Sequence, residues 1–383
     1  MPTADELLGD DSVAALIATL RADAPAATLP NLRRVRKELA PLSLRQRADA
    51  VKDALLTDLP GDYNHLEHVI RTALAHDSFT GWLIWPVTEA VAVKALDDGS
   101  GAAFDAGLRL LADLTGRLTA EFAVRPMLDH DLARALRIIS KEWVSSPDEH
   151  VRRLSSEGTR PFLPWAKRVP AILAQPAATI PIIDALYRDE SDYVQRSVAN
   201  NLNDLSRQQP QLTVETAARW LDQPDANTAR LVRHALRTLV KGGHPDALAL
   251  LGYPAPDGIQ VGTPLLADRT VAVGGELPFT VTIGNTAGEP ARLAIDYVVH
   301  HVKANGSQTP KVFKLTTATL GAGETLTLSK RHSFKEITTR RYHPGTHAIQ
   351  IQVNGVVGDK AEFELITTTT TSTTTTTAGL PAR

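Results

Sequence analysis

Three acids, one indole and a set of arginines are the residues of this chain best placed to do chemistry. In WVSSPDEHVRRLSSEGTRPFLPWAKR, residues 143–168, a short span holds Arg152, Arg153, Glu157, Arg160, Trp165, Lys167 and Arg168. Upstream, Glu121 lies in TAEFAVRPM; downstream, Arg196, Asn200, Asn201 and Asp204 share DYVQRSVANNLNDLS. Carboxylates, a tryptophan and cations are what this segment and its neighbours offer, and the cations suit a polyanion backbone. Other chemistries lack their residues. With no cysteine there is no thiolate zinc site, cysteine nucleophile or disulfide framework. No GxxxxGK[ST], GxGxxG, HExxH or GxSxG pattern occurs, and the twelve histidines are scattered.

The elements that must position these residues are helices. Ser146-Pro147-Asp148-Glu149 reads as a capping box, predicting a helix from Pro147 that stops at a left-handed Gly158. Pro164 then suits the first position of a following helix, with Trp165 in its first turn. Glu121 and Arg125 are spaced as an i,i+4 ion pair worth ~0.3–0.5 kcal/mol, in a short turn that Pro126 closes. Leu118 and Phe122 on either side of Glu121 suggest that the acid is partly buried. In the Asp192 segment Val194, Val198, Leu202 and Leu205 form an apolar stripe, beside which Ser197, Asn200, Asn201 and Asp204 stack.

These helices also repeat. Aligning EHVRRLSSEG, DYVQRSVANN and ARLVRHALRT superposes Val151, Val194 and Val232, at offsets of 43 and 38 residues. A period of about 40 residues marks a HEAT-like solenoid. Its curved face would gather Arg152, Arg153, Arg196, Asn200, Arg230 and Arg233; in an ordinary helical bundle the same arginines would simply be solvated. Residues 150–243 hold thirteen Lys/Arg against nine Asp/Glu, although the whole chain has net charge −2. A local basic surface on a near-neutral protein suits a polyanion bound at one face.

A length of 383 residues exceeds one ordinary core. Residues 12–124 read as further amphipathic helices, with Trp82 and Trp85 as packing residues. After Gly252 the period changes to two, as in Leu277, Phe279, Val281 and Ile283, and Asn305-Gly306 and Asn354-Gly355 read as hairpin turns. The predicted architecture is multidomain: an all-α HEAT-like-repeat solenoid over 1–255, then an all-β immunoglobulin-like sandwich over 260–366. The Thr-rich residues 367–383 are expected to form a disordered tail. An acidic amino terminus and the lack of a long apolar run predict a soluble, cytoplasmic protein with no membrane partner.

EFAVRPML, DEHVRRLSSEGTRPFLPWAKR and DYVQRSVANNLNDLS together resemble the motifs of the AlkC branch of the HEAT-like-repeat DNA alkylation-repair glycosylases, relatives of AlkD. The resemblance spans most of residues 1–250, and some members carry an Ig-like domain after the repeats. One departure is Phe162, where family motifs often show a basic residue. The resemblance implies base excision repair: a monofunctional DNA glycosylase that hydrolyses the N-glycosidic bond of cationic alkylated purines such as 3-methyladenine in duplex DNA. It implies no base-flipping pocket and no cofactor or metal. By resemblance Glu121, Trp165 and Asp204 are catalytic, with Trp165 packed on the deoxyribose. Arg152, Arg153, Arg160, Lys167, Arg196, Asn200, Asn201, Arg230 and Arg233 face the DNA. Glu157 either orients Arg153 or Arg160 or lies near the lesion, unless it is only an i,i+4 partner of Arg153. A monomer acting on alkylated duplex DNA, nucleoid-associated when bound, is expected; a non-enzymatic scaffold binding DNA or protein is the alternative.

Overall fold

A computed structural model of the chain describes residues 2–338 and 340–367, so most of the Thr-rich tail lies outside the described residues. The chain divides into two compact units between Arg237 and Thr238.

The first unit is all helical. Amphipathic segments read from the sequence become helices Asp10–Asp23, Leu44–Asp58, Tyr63–Ala73 and Gly101–Thr115. GWLIWPV opens as a 3₁₀ turn, Gly81–Leu83, and continues as helix Ile84–Asp98, which is buried over most of its length. The repeat holds in three dimensions. Helix Glu149–Gly158 packs on helix Asp192–Leu205, and that helix on Thr228–Ala235. The three aligned valines, Val151, Val194 and Val232, are all buried. Equivalent positions of successive units thus share one continuous core, which is why the apolar stripe recurs at a fixed spacing.

Local signals shift where side chains compete. The helix expected from Pro147 begins at Glu149, because Asp148 rather than Ser146 caps it, accepting from the His150 amide at 2.8 Å. Pro147 therefore precedes the cap. Gly158 is the last helical residue and has no left-handed backbone. Its missing side chain serves close packing: a Cβ there would lie 2.5 Å from Val124 Cγ1. Pro126 does not close a turn either. It sits inside helix Val124–His130, in the first turn, where no amide is needed.

The division falls within the short helix Arg237–Lys241, and the second unit continues with helix Pro245–Leu250 before it turns to strand. Its strands are β1 (Ile259–Val261), β2 (Leu265–Leu266), β3 (Thr270–Ala272), β4 (Glu276–Asn285), β5 (Ala291–Val302), β6 (Gln308–Leu320), β7 (Thr325–Ser333), β8 (Gly345–Val353), β9 (Val356–Val357) and β10 (Ala361–Ile366). One sheet places β4 between β7 and the pair β1 and β2; the other runs β3-β10-β8-β5-β6, with β9 on β8. Leu277, Phe279, Val281 and Ile283 of β4 meet Ile295, Tyr297, Val299, Ile349, Ile351 and Val353 in the core between the sheets. Asn354 and Gly355 both have positive φ, 46° and 85°, and form the two-residue turn that joins β8 to β9. Among the described residues no helix is long and apolar enough to cross a membrane.

Candidate active site

The stack of polar side chains on helix Asp192–Leu205 faces its neighbour helix rather than solvent. Ser197 Oγ donates to Glu157 Oε2 at 2.6 Å, and Asn201 Nδ2 to the Ser156 carbonyl at 2.8 Å and Thr159 Oγ1 at 3.2 Å. Arg160 Nε donates to Asp204 Oδ2 at 2.9 Å. Spacing of i, i+4 and i+7 aligns the three donors and acceptors along one helix face, opposite the end of helix Glu149–Gly158.

Two guanidinium groups then string three carboxylates into a chain. Arg160 Nη1 donates to Glu157 Oε1 at 2.6 Å, so one arginine bridges Glu157 and Asp204. Arg153 donates to Glu121, lies 3.6 Å from Glu157 and covers the Tyr193 ring at 5.2 Å. The order Glu121, Arg153, Glu157, Arg160, Asp204 alternates in sign and leaves one carboxylate in excess. All five side chains are at least four-fifths buried, which strengthens their fields relative to water. Burial pushes the Asp204 carboxyl above its ordinary value, against the opposing hydrogen bond from Arg160. Glu121 thus pairs with Arg153, not with the Arg125 expected from i,i+4 spacing.

Arg125 has another task. It is 3% exposed, and it donates to the carbonyls of Lys167 at 2.7 Å, Arg160 at 2.9 Å and Gly158 at 3.1 Å. Both ends of the segment carrying Trp165 are therefore tied to one cation. Burial, joined by the charges of Arg168 and Arg160, lowers its pKa to about 10, so it remains protonated at neutral pH. The held segment is irregular: no helix starts at Pro164, and the next begins at Pro170. Trp165 has φ +62° and is 94% exposed. A bulky residue in left-handed backbone costs of order 1–3 kcal/mol and persists only where its surroundings impose it. Below it lies a cavity of about 230 Å³, walled by Trp82, Trp85 and Phe122, with Glu121, Glu157 and Arg160 among its polar lining. Trp85 is buried as expected, yet both tryptophans also face this cavity.

The remaining candidates divide into engaged and free. Arg152 makes a bidentate pair with Asp189, at 2.7 and 3.1 Å, and also donates to the Ser146 and Pro147 carbonyls. Arg153 and Arg160 are committed as above, so all three of these arginines have carboxylate partners within the chain. Asn201 is fully buried, and Asn200 accepts from Arg237 at 3.0 Å and meets His234 at 3.1 Å. Arg230, although exposed, pairs with Asp192 and Gln195. Lys167, Arg196 and Arg233 are exposed, and no side-chain hydrogen bond or ion pair to a described residue occupies them. Sequence reasoning missed the role of Arg125; the signal available was an arginine flanked by Val124 and Pro126 in an otherwise apolar turn.

Residues 105–239 match the family model described as DNA alkylation repair enzyme, and residues 260–367 match the C-terminal Ig-like domain of the uncharacterised protein YhaZ. The chain is 34% identical over 324 residues to the uncharacterized protein YhaZ of Bacillus subtilis strain 168, covering 85% of this chain and 88% of the relative. It is similar in structure to the Pseudomonas fluorescens alkylpurine DNA glycosylase AlkC bound to DNA containing an abasic site analog. That likeness has a TM-score of 0.83 and 33% identity, over 95% of this chain and all of AlkC. A helical repeat unit bearing the acidic chain, an Ig-like second unit and relatives matched over nearly their whole lengths place the protein in the AlkC branch of the DNA alkylation repair enzyme family.

Proposed function

We propose that this protein is a monofunctional DNA glycosylase that hydrolyses the N-glycosidic bond of cationic alkylated purines, of the 3-methyladenine type, in duplex DNA. The observation that carries the reading is the chain of three carboxylates and two guanidinium groups at the foot of an exposed tryptophan. An N3-alkylated purine is already positively charged and leaves without a general acid. The protein need only stabilise the oxocarbenium-like sugar and hold a water. A carboxylate ~4 Å from that cation contributes about 4 kcal/mol at an effective dielectric of 20, before desolvation and pairing are subtracted. That corresponds to roughly a thousandfold in rate.

Glu121 is the least buried of the three acids and lines the cavity together with Glu157, so these two face the reacting sugar. Asp204, with 4% of its side chain exposed, acts through its field and through Arg160. Trp165 projects from the surface and lays its ring on the deoxyribose, adding cation–π attraction as charge develops. No base-flipping pocket is required, because the groups that lower the barrier address the sugar and not the base edge. Lys167, Arg196 and Arg233 take phosphates directly, and Arg230 does so by exchanging Asp192 for a phosphate oxygen.

The test is incubation with methylated duplex DNA followed by chromatography of the liberated bases. Release of 3-methyladenine is expected. Glu121→Gln and Asp204→Asn should slow single-turnover release by about 10²–10³-fold, less than the unscreened limit, with duplex affinity nearly unchanged. Trp165→Ala should weaken both. A protein that frees no methylated base sinks the reading.

A further inference from the structure

The ring of Phe162, in the irregular segment that carries Trp165, has two cationic neighbours. The Arg168 guanidinium carbon lies 4.5 Å from its centroid and that of Arg207 lies 4.9 Å from it. The two guanidinium centres are therefore no further apart than the sum of those distances. Both arginines are exposed, and no side-chain hydrogen bond or ion pair to a described residue occupies either guanidinium. Two like charges drawn to one ring, with no carboxylate bound between them, leave five N–H donors each for an anion.

The position of this pair matters as much as its charge. Phe162 lies two residues from Arg160, which bonds to Asp204, and the Arg207 backbone amide donates to the Asp204 carbonyl at 3.3 Å, so that the Arg207 charge also bears on the Asp204 carboxyl. Arg168 lies close enough to Arg125 to affect its titration in the same way. The pair thus sits beside the acidic chain and beside the anchor of the Trp165 segment.

We propose that Phe162, Arg168 and Arg207 form a phosphate clamp, in which the ring acts as a platform for two guanidinium groups that grip a phosphodiester of the DNA backbone next to the lesion. The proposal rests on the glycosylase reading above. Phe162 is then a positioning residue: its ring holds two arginines at fixed spacing. A planar guanidinium stacked on an aromatic face keeps its donor edge free for bidentate contact with phosphate oxygens.

The experiment measures binding of the full chain to a duplex carrying an abasic-site analogue, over a series of salt concentrations. Each phosphate contact adds about 0.9 to the slope of log affinity against log salt. Arg168→Gln and Arg207→Gln should each flatten the slope by up to that amount. Phe162→Leu, which keeps an apolar side chain but removes the π face, should flatten it by about one to two such steps at unchanged melting temperature. Phe162→Tyr should restore the wild-type slope. If Phe162→Leu fails to fold, the two glutamine variants decide the clamp. Wild-type slopes in both arginine variants, or in a folded Phe162→Leu, overturn the clamp while leaving the glycosylase reading intact. A wild-type protein whose binding ignores salt overturns both.

Discussion

Arg160 is the residue on which the acidic chain depends, since among the described residues it alone bonds to both Glu157 and Asp204. Removing it would leave two buried carboxylates sharing a site with one cation fewer, a change that typically costs 3–5 kcal/mol for a buried pair. Asp204 shows the tension most directly. Its folded value is raised above 3.8, so the folded state holds its proton to higher pH than the unfolded chain does. Stability from this group is therefore present at low pH and lost as pH rises through the raised folded value. The ionised form, which is the one that stabilises a cation, appears over that same window. Base release should thus show an acid limb centred above the ordinary aspartate value, read from single-turnover rates across pH. A profile flat down to pH 4 would remove Asp204 from the machinery.

At the scale of elements, the site is made by one close approach. Helix Glu149–Gly158 ends against helix Val124–His130, and Gly158 permits it because any Cβ would meet Val124 at 2.5 Å. The Gly158 carbonyl also accepts from Arg125, so this contact sets where the Trp165 segment departs. Gly158→Ala should destabilise the protein by about 1–3 kcal/mol through overpacking, seen as a lower urea midpoint. Val124→Ala in the same chain should recover part of that loss. Failure of the second change to recover stability would show that the tight contact is not the cause. The sequence announced a glycine here, but for a helix stop. Its actual reason is a neighbour 34 residues away, which spacing along one helix cannot reveal.

Across the whole molecule the two units meet acid differently. The sandwich buries His301, His332 and His347 around Phe334, and each has one ring nitrogen with no hydrogen-bond partner. Burial lowers His301 to about 3 and His332 to about 4, and it lowers His347 as well. For such depressed groups the stability is fully present above the ordinary value of 6.5 and is lost as pH falls toward 4 and 3. The urea midpoint of the sandwich should accordingly drop between pH 7 and pH 4, while the NMR signals of His301 and His332 show no protonation until about pH 4. Histidine signals that titrate near 6.5 in the folded chain would contradict it.

What the sequence alone determined is whatever rests on local period. The apolar stripes at helical spacing located the early helices, the recurring valines identified the repeat, and alternation from Leu277 onward identified the strands, because each pattern records which face of an element is buried. Glu121, Trp165 and Asp204 became candidates only through their motifs and the resemblance those motifs bear. Tertiary structure alone decided the partners: Arg153 rather than Arg125 for Glu121, Asp189 for Arg152, and backbone carbonyls for Arg125. Ion pairs across helices depend on crossing geometry and on which side chains reach the same few ångströms. Residues tens of positions apart compete for that space, and no periodicity in the chain encodes the winner.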